Sequence, residues 1–183
     1  FLDNHDVSRF LFSGKSVEAL RNAFTFMITE QGIPCVYYGD EQEFRGGNDP
    51  ANREDFWKSG YDTSGATFKW VQKLIALRKK FSALEKGGQA VVWATTRVGD
   101  EPDAGIFAYE RTGGDAAPGA YALVVINTNA QHPSSPEFNG ALMKVGAPPG
   151  TVLVDVLNGA GTFTVAGDGS LSVSVPPASA VIL

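Results

Sequence analysis

A chain of 183 residues with a 43% hydrophobic fraction can build one large domain or two modest ones. Its single cysteine, Cys35, excludes an internal disulfide framework, and no apolar run nears the roughly 20 residues of a membrane-spanning helix. The formal charge of −5 lies wholly after residue 86: residues 1–86 carry 12 basic and 12 acidic side chains, residues 87–183 carry 3 and 8. Neither half offers the basic face that nucleic acid or an anionic membrane requires.

In chain order, Phe1-Leu2 reads as the end of a buried strand, with Asn4, His5 and Asp6 where it emerges. In barrels of alternating strands and helices that end carries the catalytic groups. A chain that opens in mid-strand without an initiator Met reads as the downstream portion of something larger. Ser13 to Ser16 supply turn and N-cap residues, and Val17, Leu20, Phe24, Met27 and Ile28 then recur at helical spacing. Gly32 and Pro34 end that helix. Ile33 to Tyr38 is a continuous apolar run, the pattern of a strand buried on both faces, which makes Cys35 a small core residue. On such a strand one of Tyr37 and Tyr38 points inward and the other toward the helices.

The polar, Gly-rich stretch from Gly39 to about Tyr61 is too long for an ordinary connection, and loops of that length are often functional. A second helix spans about Thr67 to Phe81, with Arg78, Lys79 and Lys80 in its last turn facing the negative end of the helix dipole. After Gly87-Gly88 the period changes to two. Val91 to Trp93, Ile106 to Tyr109, Tyr121 to Ile126, Thr151 to Leu157, Thr162 to Val165, Leu171 to Val175 and Ala180 to Leu183 read as strands of an antiparallel β-sandwich. Residues 1–86 cannot close a barrel alone, so they read as the C-terminal portion of one, and 87–183 as a separate β domain. Arg9 reads as structural, His132 as a solvated loop residue, Trp57 and Trp93 as packing residues, and Glu41 and Gln42 as buried hydrogen-bonding residues.

Three segments, in order, carry a family resemblance. Phe1-Leu2-Asp3-Asn4-His5-Asp6 resembles the region that ends the seventh barrel strand in the α-amylase family of glycoside hydrolases. Gly32-Ile33-Pro34-Cys35-Val36-Tyr37-Tyr38-Gly39-Asp40-Glu41-Gln42 is similar to the eighth-strand segment. Gly46-Gly47-Asn48-Asp49-Pro50-Ala51-Asn52-Arg53-Glu54 is similar to the loop that follows in fungal-type α-amylases and their bacterial relatives. The fold implied is α/β plus all-β: the C-terminal part of a (β/α)8 TIM barrel over 1–86, then a Greek-key β-sandwich domain C over 87–183.

The resemblance implies a retaining hydrolase of α-1,4-glucans, in which a nucleophile and a protonated acid stand about 5 Å apart. Asp6 matches a third carboxylate that grips the hydroxyls of the distorted sugar and so stabilises the transition state. His5 matches a hydrogen-bond donor to the same sugar. Asp49 and Arg53 match residues that hold sugars further along, and Asn4 fixes the cluster; a local Asp49–Arg53 salt bridge is compatible with that role. The nucleophilic aspartate, the acid–base glutamate and the ligands of a structural calcium belong upstream of Phe1. The chain alone is therefore expected to be inactive and to hold no cofactor. The complete enzyme is expected to be secreted and monomeric, with an α-glucan as its partner. A cyclodextrin-forming transglycosylase and a non-catalytic carbohydrate-binding barrel are the alternatives.

Overall fold

The computed structural model describes residues 1–115 and 120–183. Helix α1 (Val17–Thr29) starts where expected: the Ser16 hydroxyl accepts the Ala19 amide at 3.1 Å and Glu18 stands in the first turn, satisfying an orphan donor and complementing the dipole. Gly32 follows at φ +136. Helix α2 (Ala66–Lys80) packs on α1 through Val71, Leu74 and Leu77, and the short α3 (Ser82–Lys86) follows it. Arg78 of α2 turns to the end of α1, where its guanidinium donates to the carbonyls of Ile28, Glu30 and Gly32. It thus neutralises the dipole of the neighbouring helix rather than of its own.

Strands β1 (Gly88–Ala94), β2 (Ile106–Thr112), β3 (Tyr121–Asn127) and β8 (Ser179–Ile182) form one antiparallel sheet in the order β1-β2-β3-β8. Tyr109 opposes Val124, which opposes Ile182. One face of the sheet, with Tyr109, Ala122, Val124, Ile126, Ala180 and Ile182, joins the helices in a continuous apolar core. The other face, with Ile106, Ala108, Leu123, Val125 and Val181, is covered by the hairpin β6–β7 (Val152–Val154, Thr162–Thr164) and by Met143, Leu171, Val173 and Val175, and a further hairpin pairs β4 (Glu137–Phe138) with β5 (Ala141–Leu142). Burial on both faces explains why β3 reads Ala-Leu-Val-Val-Ile without the alternation of a half-exposed antiparallel strand.

Leu171, Val173 and Val175 do point alternately into this second core, but the segment makes only isolated bridges, Lys144 to Ser170 and Ser134 to Val175. β6 and β7 fall inside Thr151 to Leu157 and Thr162 to Val165, where strands are expected, whereas the β4–β5 hairpin, with only two residues per strand, lies below what periodicity can register.

Five sequence expectations fail in the first part. Neither Phe1-Leu2 nor Ile33 to Tyr38 is a strand. A strand needs a hydrogen-bonded neighbour, and none pairs with either segment among the described residues. The second segment is consequently not buried on both faces: Ile33 is 96% exposed, and Val36, Tyr38 and Cys35 are open to solvent. Cys35 is thus a surface residue, not a core one. Without strand geometry the Tyr37 and Tyr38 rings do not diverge; both lie against the Arg9 guanidinium, at 4.1 and 4.9 Å. Trp57, expected to pack, is also exposed, because the short turn Phe56–Ser59 turns Trp57 outward beside Lys58.

Candidate functional site

Two loops, residues 3–10 and 39–54, are sewn together and hold all five candidate residues. Arg9 is the first stitch. Its backbone amide donates to the Gly46 carbonyl at 2.9 Å, its Nε donates to Glu54 Oε2 at 3.0 Å and its Nη1 to Asp40 Oδ1 at 3.1 Å. Asp3 Oδ1 lies 3.8 Å from the same guanidinium, while Asp3 Oδ2 accepts the Phe10 amide. Arg9 is therefore structural, as its sequence context indicated. Asp40 titrates high, pushed up to about 8 by burial and by the negative charge of Asp3, with Arg9 opposing; burial removes the hydration a carboxylate needs.

Glu54 shapes the longer loop. Its Oε1 accepts the amides of Arg45 and Gly46, and the chain then folds back so closely that a Cβ on Gly46 would lie 1.9 Å from the Ala51 carbonyl oxygen. Glycine is required there for that close approach. Ser8 Oγ donates to Asn48 Oδ1 at 2.6 Å, adding another tie between the loops.

The side chains that matter for sugar chemistry stand on the outside of this frame. His5 Nε2 lies 3.4 Å from Asp6 Oδ1, with the two side chains 63% and 70% exposed. Asn4 Oδ1 accepts the Asp6 backbone amide at 2.7 Å, so Asn4 orders the turn. Arg53 Nε meets Asp49 Oδ1 at 2.9 Å, also in the open. Arg53 borders a hollow of about 620 Å³ between Phe44, Pro50, Glu54 and Lys58; His5 and Asp6 do not line it. The structure thus yields two exposed acid–base pairs, His5–Asp6 and Asp49–Arg53, carried on one double-loop frame.

Asn52, to which the sequence alone assigns no role, is central to the frame. Its fully buried side-chain amide reaches the carbonyls of Asn4, His5 and Val7. Only its place inside the Asn48 to Glu54 motif hinted at a role. Glu41 and Gln42 are half-buried rather than buried and bond as expected, Glu41 accepting the Gly39 amide and Gln42 donating to the Asp62 carbonyl. His132 is exposed beside Asp100, and half-buried Trp93 packs on the second core with its Nε1 on Asp103.

A calcium site does not fit these residues. Among the described residues no group of three or more His, Cys, Asp or Glu side chains could hold a metal ion, and the carboxylates gathered in the interior already face Arg9. No helix among them is long and apolar enough to cross a membrane.

No protein-family model matches the chain. It is 35% identical over 175 residues to a cyclomaltodextrin glucanotransferase of Bacillus sp. (strain 38-2), covering 94% of this chain and 22% of that protein. It is 32% identical over 185 residues to alpha-amylase 1 of Schwanniomyces occidentalis, covering 96% of this chain and 32% of the relative. The crystal structure of an Anoxybacillus α-amylase superposes with a TM-score of 0.79 at 25% identity, over 100% of this chain and 36% of that one. The chain belongs to the α-amylase family of glycoside hydrolases. This α-amylase-family chain spans between about a fifth and a third of the length of the curated relatives it matches.

Proposed function

We propose that the chain supplies the last portion of a (β/α)8 barrel, residues 1–86, and a β-sandwich domain C, residues 87–183, of a retaining enzyme that cleaves α-1,4-glucans. In this reading Asp6 stabilises the transition state. As the ring flattens toward an oxocarbenium ion, sugar hydroxyls donate more strongly to the Asp6 carboxylate, and such strengthening lowers the barrier. His5 donates to the same sugar, Asn4 holds the turn, and Asp49 with Arg53 engages a sugar further along the chain. An acceptor and a rigid guanidinium fork side by side suit a ring of hydroxyls.

The observation that carries the reading is the outward placement of the His5–Asp6 pair on a turn pinned from within. Two polar side chains left in solvent on a turn whose carbonyls are anchored by Asn52 are arranged for a ligand rather than for packing. The apolar face of Ile33, Val36 and Tyr38 then meets the preceding barrel strands. The nucleophile and acid–base carboxyls stand on those strands, and the family's calcium is held outside this chain. The complete enzyme is read as a secreted monomer.

In the complete enzyme, Asp6→Asn is expected to cut turnover of soluble starch by orders of magnitude with an unchanged far-UV spectrum. Near-normal turnover would remove the assignment. The chain by itself is expected to release no colour from dye-labelled starch above a buffer blank.

Likeness to a cyclomaltodextrin glucanotransferase at 35% identity supports a second reading, glucanotransfer through the same residues. Chromatography of the products from soluble starch separates the two: linear oligosaccharides indicate hydrolysis, cyclic ones transfer.

A further inference from the structure

The geometry points to Asn52 as the positioning residue of Asp6 and His5, an inference that rests on the glucan-cleaving reading above. The Asn52 side chain has no solvent exposure. Its Nδ2 donates to Val7 O at 2.8 Å, to His5 O at 2.9 Å and to Asn4 O at 3.3 Å. An amide nitrogen has two hydrogens, so three carbonyls share them, and the longest contact is the shared one.

Three carbonyls from four consecutive residues can converge on one nitrogen only if the backbone curls around it. With the carbonyls of Asn4, His5 and Val7 gathered inward, the His5 and Asp6 side chains are left on the outer rim, 63% and 70% exposed. Asn4 Oδ1 closes the turn on the Asp6 amide at 2.7 Å. Asp6 thus has no side-chain contact with the frame that holds it; its position is set through its backbone, and Asn52 is the side chain that reaches that backbone from the other loop.

Asn52 also lies between Asp49 and Arg53 in sequence, on a loop anchored at Glu54 and Asn48. The peg that sets the transition-state carboxylate is therefore part of the loop that would hold the outlying sugar. Asn52 touches no substrate in this account. It fixes where Asp6 stands, and misplacing a catalytic group by about 1 Å can cost around 100-fold in rate.

The test is a double-mutant cycle in the complete enzyme, with kcat expressed per folded active site. Asn52→Asp keeps the shape and removes both donors; Asn52→Ser keeps one. Asn52→Asp is expected to lower kcat on maltooligosaccharides by about 100-fold with little change in KM, and Asn52→Ser is expected to fall between it and the parent. In an Asp6→Asn background the same substitutions are expected to have almost no further effect, because residues acting as one unit are non-additive.

A merely structural role would lower the folded fraction while leaving kcat per folded site intact, or multiply the losses in both backgrounds, and either result would overturn the inference. So would full kcat in Asn52→Asp, or a change confined to KM. If Asn52→Asp does not fold, Asn52→Ser runs the same cycle. Intact turnover in Asp6→Asn alone would sink the reading of the site and the positioning role with it, whereas loss in Asp6→Asn without loss in the Asn52 variants sinks only the latter.

Discussion

Arg9 and Asp40 meet at 3.1 Å, Nη1 to Oδ1, with both side chains shut off from solvent. Asp3 approaches the same guanidinium at 3.8 Å, so one buried cation faces two buried carboxyls. Burial and the Asp3 charge raise Asp40 to about 8. An unfolded aspartate titrates near 4, so between about 4 and 8 the folded chain holds a proton that the unfolded chain has released. Folding stability then falls as pH rises, because ∂ΔG/∂pH takes the sign of protons bound unfolded minus folded. The urea midpoint is expected to decline from pH 5 to pH 8. Asp40→Asn, which mimics the protonated carboxyl, is expected to flatten that slope, and an unaltered slope would reassign it to other groups.

Removing the cation has a larger consequence. Arg9→Leu would leave Asp3, Asp40 and Glu54 without their counter-charge and unseat the Tyr37 and Tyr38 rings. Breaking a buried pair from one side costs about 3–5 kcal/mol, an effect read from the shift of the denaturant midpoint. The loss is expected to be smaller at pH 4, where the Asp40 carboxyl is protonated and needs less compensation. An equal loss at pH 4 and pH 8 would mean that packing, not charge, is what Arg9 contributes.

Much of this architecture was legible in the residues because it is local. Ser16 announces α1, and Leu20, Phe24, Met27 and Ile28 are the residues it buries. Six of the seven strands expected after Gly87 match strands of the structure, and Leu171 to Val175 keeps its alternating burial without a ladder. What could not be read depends on partners distant in sequence. Ile33 to Tyr38 has the composition of a buried strand, but pairing is a property of two segments, and none pairs with it here. Asn52 was equally opaque: its importance lies in carbonyls 45 to 48 residues away, and no periodicity records that. His5 and Asp6 stood out from the start because a polar cluster after an apolar dipeptide is itself a local signal.

Arg53 and Asp49 separate binding from stability. Their ion pair is half exposed, and solvent-screened pairs of this kind contribute little to folding. Arg53→Ala is expected to leave the unfolding midpoint of the chain essentially unchanged. In the complete enzyme it is expected to raise KM for long maltooligosaccharides more than for short ones, since only the long ones reach the outlying position. An equal rise for both lengths would place Arg53 at the cleavage point instead.

Arg111 is the last buried guanidinium, and carbonyls rather than a carboxylate satisfy it. Nη1 donates to Thr29 O, Nη2 to Gly87 O and Nε to Gly88 O, tying the end of α1 to the start of β1. Burial and the nearby charge of Arg78 lower its pKa, so the fork persists because its hydrogen bonds offset that penalty. Beside it Tyr109 shares a 2.6 Å hydrogen bond with Thr29, whose hydroxyl also reaches Thr25 O. Tyr109→Phe therefore removes a bond while Thr29 keeps a partner, a loss of about 1 kcal/mol. Arg111→Lys keeps the charge but presents a single ammonium in place of a planar fork. At least one carbonyl is then stranded, and each buried unsatisfied group costs about 1–3 kcal/mol. Urea unfolding should therefore rank Arg111→Lys below Tyr109→Phe. The reverse order would show that charge at this junction, rather than fork geometry, joins the helix to the sheet.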